Sequence, residues 1–229
     1  MKRLAPSLAV IMPVLNAAPF LAAAIESVLA EAPSGTHLVV VDGGSTDGSA
    51  AIAAGFPGAR VLMQSGRGLA AARNQALRAV DADFIGFCDA DDRWADGALA
   101  ARLAYLQSRP GCDAVIGQVV GEALAGEPLT PLQASRLGQT LPGFTPGALL
   151  ARRQVFQRVG GFDETLTIGA DSDWFVRLQQ SGLRLSVLPV VVLRKGARAA
   201  SLSTDRETYR RELLRVARGF LERRRTGQR

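Results

Sequence analysis

Three carboxylates stand within four residues directly after an apolar run, in the segment of residues 83–92. A short apolar run bounded in this way is typical of a buried strand, and Asp89 and Asp91 beyond its end can bring their oxygens to one point. Oxygens placed so would bind a hard divalent cation, Mg²⁺ or Mn²⁺, and leave positions open for phosphate oxygens. The alternative is a solvated acidic turn that caps the helix predicted to begin near Asp96.

The size and composition of the chain fit one globular domain. It has 229 residues, 48% of them hydrophobic, which suffices for a sizeable core. The two cysteines, Cys88 and Cys112, and the single histidine, His37, have no paired spacing. We therefore expect neither a disulfide scaffold nor a zinc site.

The N-terminus imitates a signal peptide, because two basic residues precede the apolar residues 8–12. Pro13 and Asn16 cut this stretch short, so we interpret it as the first strand of the fold. No apolar run approaches the roughly 20 residues that span a bilayer. We expect a cytoplasmic protein, at most peripheral on the inner face of the membrane.

Strand-like and helix-like patterns alternate over the first half of the chain, which predicts an α/β fold with a mostly parallel central sheet flanked by helices. The predicted strands are residues 8–12, 37–41, 60–63, 83–88 and 114–119. The predicted helices are residues 20–30, 49–54, 69–80, 97–107, 154–159 and 173–180. Residues 121–147 are predicted to form a long loop, and residues 148–151 and 185–193 are apolar, the latter interrupted by Pro189.

Three polar segments follow predicted strands, at residues 13–16, 42–47 and 89–92. In open α/β sheets, ligands bind beyond the carboxyl ends of the strands. We therefore expect these segments to share one edge of the sheet.

Six short stretches carry the recognisable pattern of the chain: MPVLN at 12–16, VVDGGSTDGS at 40–49, GLAAARN at 68–74, CDADDRW at 88–94, VGGFDE at 159–164 and DSDWFVRL at 171–178. In this order and spacing they resemble the family 2 glycosyltransferases, enzymes with the nucleotide-sugar-binding GT-A fold. The resemblance covers about residues 7–203. It implies a single GT-A domain over residues 1–203, followed by a C-terminal segment at 204–229.

The resemblance implies a nucleotide site. Pro13 and Asn16 would shape its rim, and Asp42 would accept a hydrogen bond from the base. Arg73 would bind an anion or a base carbonyl, and Asp89 would also contact the nucleotide. The alternatives are a capped glycine-rich turn at Asp42 and an exposed helix arginine at Arg73.

Asp89 and Asp91 resemble the DxD motif of the family, which holds Mg²⁺ or Mn²⁺ against the donor diphosphate as a Lewis acid. Many members carry a histidine near the end of the domain that touches the metal or the diphosphate. This chain has Arg194, Lys195 and Arg198 there, and these could neutralise the diphosphate instead.

Asp171 matches the aspartate that serves as catalytic base in the family and takes the proton of the acceptor hydroxyl. The alternative is an N-cap of the helix that runs through Trp174. The residue before it is Ala170, where the family usually has glutamate, and Gly43 stands where a second aspartate is common.

The resemblance, together with these residues, implies an inverting, metal-dependent glycosyltransferase of the hexosyltransferase kind. The donor is a nucleotide-diphosphate sugar, and the acceptor hydroxyl belongs to a lipid carrier, a glycan or a peptide; nucleic acid is not an expected partner. One alternative is a catalytically weak GT-A domain that binds nucleotide or serves as a scaffold subunit, which Ala170 and the missing histidine favour. Another alternative is a nucleotidyltransferase, but this chain lacks the lysine-containing, glycine-rich phosphate loop that such an enzyme would have near the N-terminus.

Much of the net charge of +6 lies at the C-terminus, where arginines dominate residues 206–229. Apolar residues recur there at near-helical spacing, which predicts a basic amphipathic helix and a polar tail. Such a helix either packs on the domain with a solvated basic face, or binds anionic lipid or an acidic partner. If the helix binds anionic lipid, we expect a weak peripheral association of the protein with the membrane.

Overall fold

The computed structural model describes residues 7–198 and 205–226. Within these ranges the strands are β1 (Leu8–Val14), β2 (His37–Asp42), β3 (Ala59–Met63), β4 (Phe84–Phe87), β5 (Arg93–Trp94), β6 (Ala114–Ala123), β7 (Thr140–Pro142), β8 (Leu149–Arg152) and β9 (Leu185–Ala197). The helices are α1 (Ala18–Glu31), α2 (Ser49–Ala54), α3 (Gly68–Ala79), α4 (Ala98–Ser108), α5 (Pro131–Arg136), α6 (Arg153–Val159), α7 (Ala170–Gln180) and α8 (Arg206–Thr226). The predicted domain boundary at residues 203 and 204 and the polar tail at 227–229 lie outside the described residues.

The strands form one sheet in the order β3-β2-β1-β4-β8-β6-β9-β5, and β7 pairs with β6. Strands β3, β2, β1 and β4 run parallel, and β8 is antiparallel to both β4 and β6. Helices cover both faces of the sheet. The predicted α/β class is confirmed, with the parallel strands forming one half of the sheet and a mixed region the other.

Strand β1 is buried along its whole length because it is apolar on both faces. Val10 and Met12 pack in a core cluster with α1 and α4, whereas Ala9 and Ile11 pack in a second cluster with α3, α6 and α7. This alternation is the period-two pattern of a strand between two helical layers.

The segment predicted to be one long loop, residues 121–147, contains the end of β6, the helix α5 and the strand β7. These elements are short, and α5 begins with a capping box in which Thr130 and Gln133 bond each other's backbone N–H groups. Strand β9 continues past Pro189, because the pairing of β6 with β9 is irregular there. Ile116 pairs with Val187 and Gln118 with Val191, so the missing N–H of Pro189 falls at the irregularity.

The acidic-turn alternative for Asp89, Asp91 and Asp92 is wrong as a description of how α4 begins. The carboxylate of Glu31 accepts hydrogen bonds from the backbone N–H groups of Gly97 (2.8 Å) and Leu99 (3.1 Å). The start of α4 is therefore satisfied from α1, and the three aspartates are directed elsewhere.

The C-terminal helix α8 packs on the domain against α7, with Val216 and Glu212 buried. The structure therefore shows the first of the two predicted alternatives, a helix that packs on the domain with a solvated basic face.

None of the helices in the described part of the chain has the length and apolarity needed to cross a membrane.

Candidate active site

The carboxyl ends of β1, β2 and β4 meet at one edge of the sheet, because β1 lies between the other two strands. Val14 at the end of β1 pairs with Asp42 at the end of β2, and Ile11 pairs with Phe87 at the end of β4. The predicted shared edge for the three polar segments is confirmed.

The turn after β1 and the turn after β2 are bonded to each other. Asn16 adopts a left-handed backbone conformation with φ of 48°, and its side-chain oxygen accepts a hydrogen bond from the Thr46 N–H at 2.9 Å. The backbone N–H of Asn16 donates to the Ser45 hydroxyl at 3.0 Å. Pro13 lies buried inside β1, whereas Leu15 is 59% exposed. Leu15 and Asn16 therefore form the accessible rim at this strand end.

Asp42 is 1% exposed, and its carboxylate accepts hydrogen bonds from the backbone N–H and the hydroxyl of Ser45. This is the capped glycine-rich turn that the sequence allowed. A carboxylate has about four lone-pair sites, so these bonds leave acceptor capacity on Asp42. The contact with a base remains a prediction.

Arg73 is the centre of the site. It projects from α3, its side chain is fully buried, and it bridges two carboxylates from distant parts of the chain. Its Nη2 donates to Asp89 Oδ1 at 2.8 Å, and its Nη1 donates to Asp171 Oδ1 at 2.6 Å. The guanidinium also lies over the ring of Phe162, 5.4 Å from the centroid. The exposed-arginine alternative is wrong.

The bridge sets the charge state of the three groups. Burial lowers the pKa of Arg73, but Asp171 and Asp89 outweigh it, so the pKa lies above its ordinary value. Burial raises the pKa of Asp171, and the opposing attraction of Arg73 does not cancel that effect. For Asp89 burial also raises the pKa, but Arg73 and Lys195 bring it below the ordinary value. Asp171 is thus the more basic of the two carboxylates.

Asp91 and Asp92 have cationic partners from the end of β9 and the residue after it. Arg198 Nε lies 3.1 Å from Asp91 Oδ2, and Lys195 Nζ lies 3.4 Å from Asp92 Oδ2. Asp92 is buried and also accepts the Gly196 backbone N–H at 2.9 Å. Asp92 above all raises the pKa of Lys195, so the lysine stays protonated.

Arg194, the third predicted diphosphate contact, does not join this cluster. It is exposed and lies opposite Arg93 in the pairing of β5 with β9. Successive side chains of a strand point to opposite faces, so Arg194 and Lys195 diverge. Among the described residues, the carboxylates of this edge bond Arg73, Lys195 and Arg198 and not Arg194.

The donor set at Asp89 and Asp91 fits a divalent cation that arrives with a diphosphate. Their side chains are 19% and 21% exposed and present carboxylate oxygens, the ligands that Mg²⁺ and Mn²⁺ prefer. The described residues hold no group of three His, Cys, Asp or Glu side chains that would bind a metal by itself. One or two carboxylates suffice where substrate phosphates complete the coordination.

Asp171 does not cap α7. The N-cap is Gly169, the helix begins at Ala170, and the start of the helix has no side-chain cap bond. The side chain of Asp171 is directed to Arg73 instead, so the pure-cap alternative is wrong. Trp174 is fully buried and packs against Phe156 and Phe162, which makes it a core residue.

Asn74, next to Arg73, is a positioning residue whose role the sequence did not reveal. Its amide donates to the Phe162 carbonyl and to Glu164, both at 2.8 Å, and accepts the Phe162 N–H at 2.8 Å. A Cβ at Gly161 would collide with the Asn74 side-chain oxygen, which explains the glycine there. The hydrogen bonds from Asn74 to the Phe162 backbone thereby hold the Phe162 ring beneath the Arg73 guanidinium.

A model of the family described as "Glycosyl transferase family 2" matches residues 9–160. The chain is 30% identical to the succinoglycan biosynthesis protein ExoU of Rhizobium meliloti (strain 1021) over 225 residues, which cover 87% of this chain and 64% of ExoU. The chain therefore spans less than two thirds of the length of this relative.

Two solved structures are similar in fold. One is S. aureus TarS 1-349 in complex with UDP-GlcNAc, with a TM-score of 0.70 at 20% identity over 87% of this chain and 61% of TarS. The other is the mannosyltransferase PcManGT from Pyrobaculum calidifontis in complex with GDP-Man and Mn²⁺, with a TM-score of 0.61 at 25% identity. That match covers 82% of this chain and 56% of PcManGT.

Replacing the bridging arginine by Arg73→Met should leave Asp89 and Asp171 with like charges and no cation between them. We expect the free energy of unfolding at neutral pH to fall by about 3 kcal/mol, measured by urea denaturation. The matched control is Arg78→Met, an exposed arginine of the same helix, which should change it by less than about 1 kcal/mol.

A second substitution tests whether charge is the cause of that loss. Adding Asp171→Asn to Arg73→Met removes one of the two facing charges, so the double variant should be more stable than Arg73→Met alone. A double variant of equal or lower stability would contradict the role of the bridge in compensating these charges.

Proposed function

We propose that this chain, which belongs to glycosyl transferase family 2, transfers a sugar from a nucleotide-diphosphate sugar to an acceptor hydroxyl with inversion at the anomeric carbon. The observation that carries the proposal is the buried Arg73, which joins Asp89, on the proposed donor side, to Asp171, the candidate base. One guanidinium thereby holds two carboxylates side by side at the carboxyl edge of the sheet, where ligands of α/β folds bind.

The nucleotide would lie over the ends of β1 and β2. Asn16 and Leu15 offer an accessible rim there, held rigid by the bonds between the two turns. Asp42 would accept a hydrogen bond from the base with its remaining lone pairs, and Pro13 would support the turn from inside β1. The TarS complex holds a uridine nucleotide sugar and the PcManGT complex a guanosine one, so both kinds are candidates for this chain.

The chemical step would be a single displacement. Asp171 would accept the proton of the acceptor hydroxyl while that oxygen bonds to the anomeric carbon and the bond from this carbon to the diphosphate oxygen breaks. Burial raises the pKa of Asp171, which makes it a better proton acceptor than an ordinary aspartate, and Arg73 holds it in place. The proton then leaves through bulk solvent, to which the Asp171 side chain is 27% exposed.

The leaving diphosphate would be neutralised by Lys195 and Arg198, which stand at Asp92 and Asp91. Asp91 with Asp89 would hold Mg²⁺ or Mn²⁺, which when bound supplies Lewis-acid stabilisation of the developing phosphate charge. Arg198 bonds only Oδ2 of Asp91, so Oδ1 would be available to the cation, and the diphosphate would offer Arg198 a second anionic partner. Support for Mn²⁺ comes from the residues at this edge and from the complex of PcManGT with GDP-Man and Mn²⁺.

The acceptor is proposed by class only. ExoU is named for the biosynthesis of a polysaccharide, succinoglycan, which favours a glycan or a lipid-linked glycan hydroxyl over a peptide for this chain. The rival function is a catalytically weak domain that binds nucleotide as a scaffold subunit. The observation that favours this scaffold function is Ala170, which is buried at a position where the family usually has glutamate.

The outer face of α8 fits a weak peripheral contact with anionic lipid on the cytoplasmic face of a membrane. Exposed residues recur along that face at helical spacing, opposite the buried Glu212 and Val216. They are Arg211, Leu214, Arg218, Leu221 and Arg225. Leu214 and Leu221 are each 55% exposed, so apolar and basic side chains alternate on one accessible stripe.

The base assignment predicts the behaviour of Asp171→Asn. Asparagine keeps an oxygen that accepts from Arg73 Nη1, so the fold and donor binding should survive, but it cannot accept a proton. The assay is hydrolysis of UDP-glucose, UDP-GlcNAc or GDP-mannose, in which water takes the place of the acceptor hydroxyl and nucleoside diphosphate is released. We expect its kcat to fall at least about a hundredfold.

In wild type, kcat should decline as the pH falls through the raised pKa of Asp171, because the protonated carboxyl is no base. Near-normal turnover by Asp171→Asn would reject the assignment. Absence of turnover in wild type, with nucleotide binding intact, would favour the scaffold alternative.

The metal assignment predicts that Asp91→Asn loses the part of nucleotide binding that depends on Mn²⁺. Calorimetry with UDP and GDP, each with Mn²⁺ and with EDTA, measures this part directly. The control is Asp96→Asn, an exposed aspartate beyond the cluster, which should titrate as wild type does. Equal enhancement by Mn²⁺ in wild type and Asp91→Asn would remove Asp91 from the site.

The membrane proposal predicts that wild type sediments weakly with anionic vesicles and not with neutral ones. The triple variant Arg211→Gln, Arg218→Gln, Arg225→Gln should lose this binding, since each basic residue near the surface contributes about 1 kcal/mol. High salt should abolish it as well.

The control for that experiment removes the same charge elsewhere, by Arg60→Gln, Arg109→Gln and Arg136→Gln, all exposed. The control variant should sediment as wild type does. Equal sedimentation of the two triple variants, or none by wild type, would reject the proposed contact.

A further inference from the structure

Helix α8 places a carboxylate inside the domain. Glu212 is 7% exposed although it belongs to a helix whose other side is strongly basic. It lies one turn from the buried Val216, on the helix face that packs against α7. A buried carboxylate is stable only when its oxygens are hydrogen-bonded, so its partners indicate its role.

The partners are three consecutive backbone N–H groups. Glu212 Oε1 accepts from Thr167 at 2.9 Å, and Oε2 accepts from Ile168 at 2.8 Å and Gly169 at 2.7 Å. Burial raises the pKa of Glu212, but these hydrogen bonds outweigh it and bring the pKa below the ordinary value. The carboxylate is therefore ionised, and it binds the backbone N–H groups of residues 167–169 as an anion binds the consecutive N–H groups of a backbone nest.

The segment so held leads directly into the candidate base. Gly169 is the N-cap of α7, and Asp171 is the second residue of that helix. The approach at Gly169 is close, because a Cβ there would lie 3.1 Å from Glu212 Cβ and 3.3 Å from Oε2. Only Ala170 lies between the anchored Gly169 and Asp171, whose carboxylate Arg73 binds.

Another contact fixes the same region from the same helix. Arg215 donates to the Thr165 hydroxyl at 2.6 Å and lies 3.7 Å from Asp163. Helix α8 thus fastens the chain at several points between residue 163 and the start of α7. All of these anchors lie beyond residue 160, where the match to the family model ends.

We propose that Glu212 is a positioning residue for the transfer reaction, which orders residues 167–169 and so fixes the start of α7 and the direction of Asp171. The inference rests on the proposed function, because it gives Asp171 the role of base. Glu212 itself lies behind the segment and is no catalytic residue. Its removal should therefore change turnover without changing how the nucleotide binds.

The test compares Glu212→Gln with wild type. Glutamine keeps the length of the side chain, but one of its two ends is an NH₂ group that cannot accept, so part of the three-donor contact is lost. Amide hydrogen exchange of residues 163–171 should become faster in the variant. The kcat for hydrolysis of UDP-glucose or GDP-mannose, with water as the acceptor, should fall at least about tenfold, as a small misplacement of a reacting group would cause. The Kd of UDP or GDP should stay within about twofold of wild type.

Two further variants keep the test sharp. Gly169→Ala pushes against Glu212 without changing any charge and should alter exchange and kcat in the same direction. Glu207→Gln, an exposed glutamate in the first turn of α8, should behave as wild type in both measurements. If Glu212→Gln does not fold, Gly169→Ala supplies the comparison.

The outcomes separate the two proposals. Faster exchange with an unchanged kcat would make Glu212 purely structural and overturn the positioning role, and unchanged exchange would overturn the contact itself. A nucleotide Kd that weakens in step with kcat would also overturn it, because the effect would then lie in donor binding. No turnover by wild type would overturn the proposed function, and with it the role of Asp171 on which the inference rests.

Discussion

The guanidinium of Arg73 has no solvent contact, and the two carboxylates that compensate its charge organise the site. The compensating carboxylates are Asp89, 16 residues away, and Asp171, 98 residues away, so the cation can be buried only when the two halves of the chain have come together. Supporting contacts follow from the same demand: Asn74 holds Phe162 beneath the guanidinium, and α7 must begin where Asp171 reaches it. Donor side and acceptor side are thereby joined in one charge network.

The network extends along the edge of the sheet. Among the described residues of this network, four carboxylates, Asp89, Asp91, Asp92 and Asp171, face three cations, Arg73, Lys195 and Arg198, so most of the charge of the network is balanced within the protein. An incoming diphosphate would bind cations that are already paired with carboxylates, and an incoming metal ion would bind carboxylates that are already paired with cations. Neither would enter a site that carries charge of only one sign. Asp92, the least accessible of the carboxylates, ties the end of β9 to the turn after β4 through Gly196 and Lys195.

The sequence predicted the parts of this arrangement that depend on local pattern. Burial of β1, β2 and β4 on both faces follows from their apolar composition, and the parallel order then brings Asp42 and Asp89 to one edge. Asp171 was identified by resemblance, and its role stays a prediction.

Features that arise from contacts between distant segments were not predicted: Arg73 as a bridge, Glu31 as the cap of α4, and Glu212 as an anchor. A lone glutamate on the apolar stripe of a basic helix was the only local signal for Glu212. The short elements β5, β7 and α5 lack the length for a periodic pattern.

Helix α8 has a consequence for how such chains can diverge. A C-terminal segment that only covers the surface could be lost, lengthened or exchanged between relatives with little effect on the core. Here that segment carries the acceptor for three backbone N–H groups ahead of α7, in a part of the chain that the family model does not reach. Recombination at residue 160, where the matched region ends, would keep these partners together, whereas exchange of α8 alone would separate them. Residues 163–169 and α8 should therefore be inherited as a unit.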